Sequence, residues 1–174
     1  KIIENIDVGG PTMVRAAAKN YNDVTVITST DQYSELINEL KKNKGSTSLK
    51  FREKMSRLAF GETAYYDAVI ANYFNKFNNI NFPKKKIIYT NLIENLRYGE
   101  NPHQLGAFYS QNRKNKLEQI HGKTLSYNNY NDILAAITIS KSLPKNIGTV
   151  IVKHGNPCGV SALKNNLDSY QSAL

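Results

Sequence analysis

A lysine followed by a histidine at the end of an apolar run is the feature of this sequence richest in chemistry. Thr149-Val150-Ile151-Val152 leads straight into Lys153-His154, and Gly155-Asn156-Pro157-Cys158-Gly159 follows. The apolar run reads as a buried strand, and open α/β sheets gather their ligands at strand ends. A histidine placed there can act as a base near neutral pH. A neighbouring ammonium can stabilise an oxyanion as it develops. Gly155, Pro157 and Gly159 make the backbone that follows a fixed turn. Cys158 reads as a buried structural thiol; as a nucleophile it would have no evident acid–base partner beyond His154.

Two further clusters carry chemistry. Leu96-Arg97-Tyr98-Gly99-Glu100-Asn101-Pro102-His103-Gln104 packs polar and special-geometry residues between two strand-like runs. Arginine holds a phosphate or carboxylate bidentately, and tyrosine stacks on a base or donates its hydroxyl. His103 is either a ligand contact or a hydrogen-bonder within the loop. Nearer the start, Asn5-Ile6-Asp7-Val8-Gly9-Gly10-Pro11-Thr12 sets a carboxylate beside paired glycines at a helix entrance. Glycines let backbone amides approach an anion, and a helix N-terminus favours negative charge. Lys19 stands four residues after Arg15, so both cations can share one face. Asp7 and Lys19 in one pocket could position a ligand and move its protons. The plainer alternative is a tight turn with a lysine complementing the helix dipole.

The elements that must position these residues are legible in outline. Residues 9 to 20 read as a glycine turn running into a helix, with Pro11 at the first helical position and three alanines favouring the helix. Val24–Thr28 is β-branched and reads as a strand. Ser29-Thr30-Asp31 caps a helix on which Tyr33, Leu36, Ile37 and Leu40 share a face. A long helical stretch runs from about Leu49 to Phe77, divided by Gly61-Glu62 into two helices. An Asn-, Pro- and Lys-rich segment follows, so a linker is expected over 81–90. Beyond it, Ile87–Tyr89, Ala107–Tyr109 and Leu117–Ile120 look like strands, and a helix is expected over about Asp132–Ser142. Strands alternating with helices argue for α/β layers.

Bulk properties narrow the class. No uncharged apolar run approaches the roughly 20 residues that cross a bilayer. The opening Lys-Ile-Ile-Glu is no signal peptide, and without an initiator Met it reads as a truncation point. One cysteine excludes an intrachain disulfide and fits a cytoplasmic setting. The net charge of +9 raises the possibility of nucleic acid. Its basic runs, at 41–44 and 84–86, have no interleaved stacking aromatics and read as solvated surface.

Taken together, Ile6–Thr12 with Arg15–Asn20, Leu96–Gln104 and Val152–Gly159 closely resemble, in order and spacing, the bifunctional purine biosynthesis enzymes. That family joins AICAR transformylase to IMP cyclohydrolase. The resemblance covers essentially the whole chain. It implies the C-terminal part of a methylglyoxal-synthase-like α/β domain over residues 1–80, and the first part of a cytidine-deaminase-like domain over 91–174. It matches Asp7, Val8 and Gly9 to the cyclohydrolase nucleotide-binding segment and Lys19 to the proton-transferring lysine. Arg97, Tyr98 and Asn129 match AICAR contacts of the transformylase. His154 matches its catalytic base, and Lys153 the residue that stabilises the transition state.

The implied ligands are AICAR, formyl-AICAR and IMP, with 10-formyltetrahydrofolate as formyl donor and no metal required. A homodimer is implied, with active sites shared across the interface, and neither nucleic acid nor membrane as partner. The family's phosphate-binding loops and a further cyclohydrolase lysine match nothing after Lys1, and most folate contacts match nothing before Leu174. The chain by itself is therefore expected to be inactive. A zinc deaminase fits poorly, because that chemistry needs a Cys-x-x-Cys pair and the chain has one cysteine.

Overall fold

The structure, a computed structural model, describes residues 1–111 and 117–174. It mixes helix and strand in two compact units, Lys1–Tyr89 and Thr90–Leu174.

The first unit is helical. α1 (Gly9–Lys19), α2 (Tyr33–Lys42) and α3 (Leu49–Phe77) follow one another. The core lies where α1 packs on α3. Ala18, Met55 and Ala59 are fully buried, and the Ser56 hydroxyl donates to the Ala18 carbonyl at 2.7 Å. Small residues on α1 allow that close approach, so the alanine run serves packing as well as helix propensity. α3 is one continuous 29-residue helix, not two. Gly61 is exposed with open space where a Cβ would stand, while buried Ala59 and Thr63 flank it and keep the packed face continuous. That packing outweighs the roughly 1 kcal/mol that glycine costs a helix.

Two expected strands do not form here. Residues 24–28 are half-buried and carry no ladder, because no other strand lies in this unit to pair with them. Arg52 instead fixes the preceding loop by donating to the carbonyls of Tyr21, at 2.9 Å, and Asn22, at 2.7 Å. Ile87–Tyr89 lies against α3. Asn72 Nδ2 donates to the Ile87 carbonyl at 3.0 Å, and the Tyr89 ring meets Tyr65 edge-on at 5.2 Å. Ser29 caps a 3-10 turn, Thr30–Gln32, that leads into α2 through a reciprocal box with Gln32.

The second unit holds two antiparallel hairpins and two helices. β1 (Asn91–Asn95) pairs with β2 (Ala107–Ser110), with a bulge between Leu92 and Glu94. α4 (Tyr127–Ser140) begins five residues earlier than its apolar spacing indicates. Ser126 starts it by accepting from the Asn129 amide while Asn129 Oδ1 takes the Ser126 amide. Tyr130 anchors α4 to the first hairpin: its ring stacks on Phe108 at 4.7 Å, and its hydroxyl donates to Glu94. Burial, then that hydrogen bond, push the phenol up to about 12. Residues 117–120 form no strand.

β3 (Thr149–Lys153) pairs antiparallel with β4 (Asn156–Ser161), and α5 (Asn166–Ala173) packs on that pair. The expected buried strand end is therefore a hairpin, and β3 is half-buried. Pro157, Cys158 and Gly159 lie within β4, not in a turn. Gly159 faces α5 so closely that a Cβ would fall 1.6 Å from the Ala173 carbonyl oxygen. Cys158, opposite no residue of β3 at the bulge, is exposed; it is not a buried structural thiol.

Candidate functional site

In the first unit the candidate residues surround the N-terminus of α1. The Asp7 amide donates to the Tyr66 hydroxyl of α3 at 2.8 Å. Asp7 Oδ1 accepts the Gly10 amide at 2.9 Å, one of the first-turn donors a helix leaves unmatched. The anion at this helix entrance is thus the chain's own carboxylate. A Cβ on Gly10 would fall 2.2 Å from Asp7 Oδ2, so the fold of the carboxylate over the turn depends on glycine. The helix begins at Gly9, so Pro11 is its third residue and not its first. Val8 is exposed, and the backbone at Gly9 is open. A cleft of about 380 Å³ lies here, lined by Asp7, Gly10, Pro11, Val14, Thr63 and Tyr66 among others. Tyr66 had no signal in the sequence beyond its place on a long helix.

Lys19 is exposed at the last position of α1. Eleven helical residues at about 1.5 Å each separate it from the Asp7 end by roughly 16 Å, so α1 does not bring the two side chains into contact. Arg15 sits over the Phe60 ring of α3 at 5.6 Å.

In the second unit, α4 positions both remaining clusters. The loop between β1 and β2 is tied to its N-terminal end: the Arg97 amide donates to the Leu125 carbonyl at 2.9 Å, the Tyr127 amide to the Tyr98 carbonyl at 3.1 Å, and Asn128 Nδ2 to the Glu100 carbonyl at 3.0 Å. Within the loop the bonds are made by Gln104, which accepts the Gly99 amide at 2.8 Å and takes the Asn101 amide on Oε1 at 2.8 Å. His103 is exposed and takes no part in them. The Arg97 guanidinium stands 4.8 Å over the Tyr98 ring, and Nη2 donates to the Tyr98 hydroxyl at 3.2 Å. That stacking holds a flat, exposed cation in place for a phosphate or carboxylate. Asn129 gives its side-chain oxygen to the cap of α4.

One further turn along α4, Asp132 Oδ1 accepts the Gly155 amide at 2.7 Å. Lys153 pairs with Asn156, so His154 and Gly155 are the two loop residues of the β3–β4 hairpin, with φ of +55° and +73°. Lys153 and His154 are exposed at its tip. A histidine and a lysine are thereby adjacent and exposed, on the unit that also presents Arg97 and Tyr98. Asp132 escaped sequence reasoning, since a lone helical carboxylate signals nothing until the turn it holds is known.

Comparison with known proteins identifies the family. The family model described as "AICARFT/IMPCHase bienzyme" matches residues 17–174. Among similar proteins, each described as "Bifunctional purine biosynthesis protein PurH", those of Bradyrhizobium diazoefficiens and Thermoanaerobacter sp. are 45% identical over 99% and 98% of this chain. That of Listeria welshimeri is 44% identical over 98%. The chain spans 34% of the length of these relatives.

Proposed function

The chain belongs to the AICARFT/IMPCHase bienzyme family, and from that premise we propose that its parent protein carries out the last two steps of de novo IMP synthesis. Residues 1–80 supply the C-terminal part of a methylglyoxal-synthase-like cyclohydrolase domain. Residues 91–174 supply the first part of a cytidine-deaminase-like transformylase domain. The observation that carries the reading is the exposed Lys153-His154 tip, held by the same helix that holds the Arg97-Tyr98 loop.

Formyl transfer needs what that tip offers. The 5-amino group of AICAR is a weak nucleophile, because its lone pair is delocalised into the imidazole ring and carboxamide. Its nitrogen forms a bond to the formyl carbon of 10-formyltetrahydrofolate as His154 accepts its proton. Charge gathers on the formyl oxygen, where the Lys153 ammonium stabilises it. Collapse breaks the bond to the folate nitrogen, which takes the proton back from the imidazolium. Arg97, Tyr98 and Asn129 hold AICAR. None of these steps calls on a metal or a covalent enzyme intermediate.

Ring closure joins the carboxamide nitrogen to the formyl carbon and expels water. Asp7, Val8 and Gly9 bind the nucleotide, and Lys19 transfers the proton. Because α1 separates Lys19 from Asp7, the two do not form one acid–base pair. The parent protein is cytoplasmic and acts as a homodimer, with small molecules rather than nucleic acid or membrane as its partners.

The test is His154→Ala in the full-length parent protein. Formation of formyl-AICAR from AICAR and 10-formyltetrahydrofolate is expected to be lost; undiminished transfer overturns the assignment.

A further inference from the structure

Both ends of one peptide unit, the one joining His154 to Gly155, are tied. Its carbonyl accepts Asn156 Nδ2 at 3.0 Å, and its N–H donates to Asp132 Oδ1 at 2.7 Å. In a two-residue hairpin of the mirror-image kind, with positive φ at both loop residues, ladder pairing uses the flanking residues and leaves this amide to water. Here a partly buried carboxylate from α4 takes it, twenty-three residues away in sequence. The neighbouring Asn131 closes in from the same helix: a Cβ on Gly155 would lie 3.2 Å from Asn131 Nδ2. The turn is thus seated against α4 at more than one point.

The consequence falls on His154. A non-glycine residue at positive φ persists where its surroundings over-determine it. The peptide before His154 is fixed by the pairing of Lys153 with Asn156, and the peptide after it by Asp132 and the Asn156 amide. With both flanking planes held, the direction of the His154 Cα–Cβ bond is set before any ligand arrives. Resting on the reading of His154 as the base for formyl transfer, we propose that Asp132 is a positioning residue of that reaction. It acts through the Gly155 backbone amide and not through the imidazole. The carboxylate strengthens the bond because it carries charge, yet the task needs only an acceptor oxygen at that place.

The distinction makes the proposal testable in the full-length parent protein. Asp132→Ala removes the acceptor and is expected to lower kcat for formyl transfer by about tenfold to a hundredfold, the loss associated with misplacing a reacting group by about an ångström. The KM for AICAR should stay within about threefold, and IMP cyclisation, proposed for the other unit, should be unaffected. Asp132→Asn retains a side-chain oxygen. It is expected to recover most of the rate with the wild-type pH profile. The amide of Gly155 should exchange with solvent faster in Asp132→Ala than in Asp132→Asn. Full activity of Asp132→Ala beside an inactive His154→Ala overturns the positioning role and leaves the assignment of the base intact. Equal loss in Asp132→Ala and Asp132→Asn, or a shifted acid limb in the latter, overturns the backbone route in favour of a direct charge on the imidazole. An active His154→Ala removes the base itself.

Discussion

Histidine at positive φ is uncommon, and His154 occupies that conformation at a hairpin tip where asparagine is the usual residue. Its identity and its lysine neighbour are what the sequence makes visible; its turn is not, because His-Gly is a weak hairpin signal beside Asn-Gly. The same gap hides Asp132 and Tyr66, whose roles arise from backbone amides far off in the chain. Tyr130 gives a residue-scale test of the fold that orients α4. An unfolded tyrosine ionises near 10, whereas burial and the Glu94 hydrogen bond hold Tyr130 up to about 12. The folded state therefore keeps a proton that the unfolded state releases between these values. Stability from this group is complete below about pH 10 and falls as pH rises toward 12. Resistance to denaturant is expected to decline across that window in the wild type more steeply than in Tyr130→Phe, which has no proton to lose. Parallel declines would show that Tyr130 is not held in its neutral form.

At the scale of elements, what the sequence revealed depended on whether local pattern or a distant partner decides the outcome. α3 was legible because Phe51, Met55, Ala59 and Ala68 repeat at helical spacing. Its continuity was not, since Gly61 is a local breaker and only the packing of α1 decides that the helix runs on. That difference has a measurable consequence. Gly61 is helical, exposed and free of neighbours within 4 Å of a Cβ, so Gly61→Ala is expected to stabilise the chain by about 1 kcal/mol in equilibrium denaturation. No gain would mean that the backbone there is not helical in solution. Val24–Thr28 failed in the opposite way: its residues favour a strand, but a strand exists only with a neighbour to pair with. In β4, Gly159 stands against α5, and the bulge leaves Cys158 unpaired and exposed. Its glycines and proline read locally as a turn, whereas the ladder with β3 makes the segment a strand.

Charge is the whole-molecule property easiest to read and the least decisive here. The excess of 23 basic over 14 acidic residues is spread along the chain, and the candidate sites hold single cations: Arg97 over Tyr98, and Lys153 beside His154. Division into two compact units says more. Each unit carries a candidate cluster among its described residues, Asp7 with Tyr66 in one and Arg97, Asp132 and His154 in the other. If the proposed chemistry is divided in the same way, the two steps must fail separately. Lys19→Ala in the full-length parent protein is expected to block ring closure while formyl transfer continues, so that formyl-AICAR accumulates when AICAR and the folate donor are supplied. His154→Ala should show the converse, closing added formyl-AICAR at the wild-type rate while making none from AICAR. Assaying each step with its own substrate distinguishes a lost site from a collapsed fold, because a folding defect confined to one unit leaves the other's reaction as an internal control. Loss of both activities in either variant would mean that the two clusters serve one site, and the division of chemistry between the units would have to be abandoned.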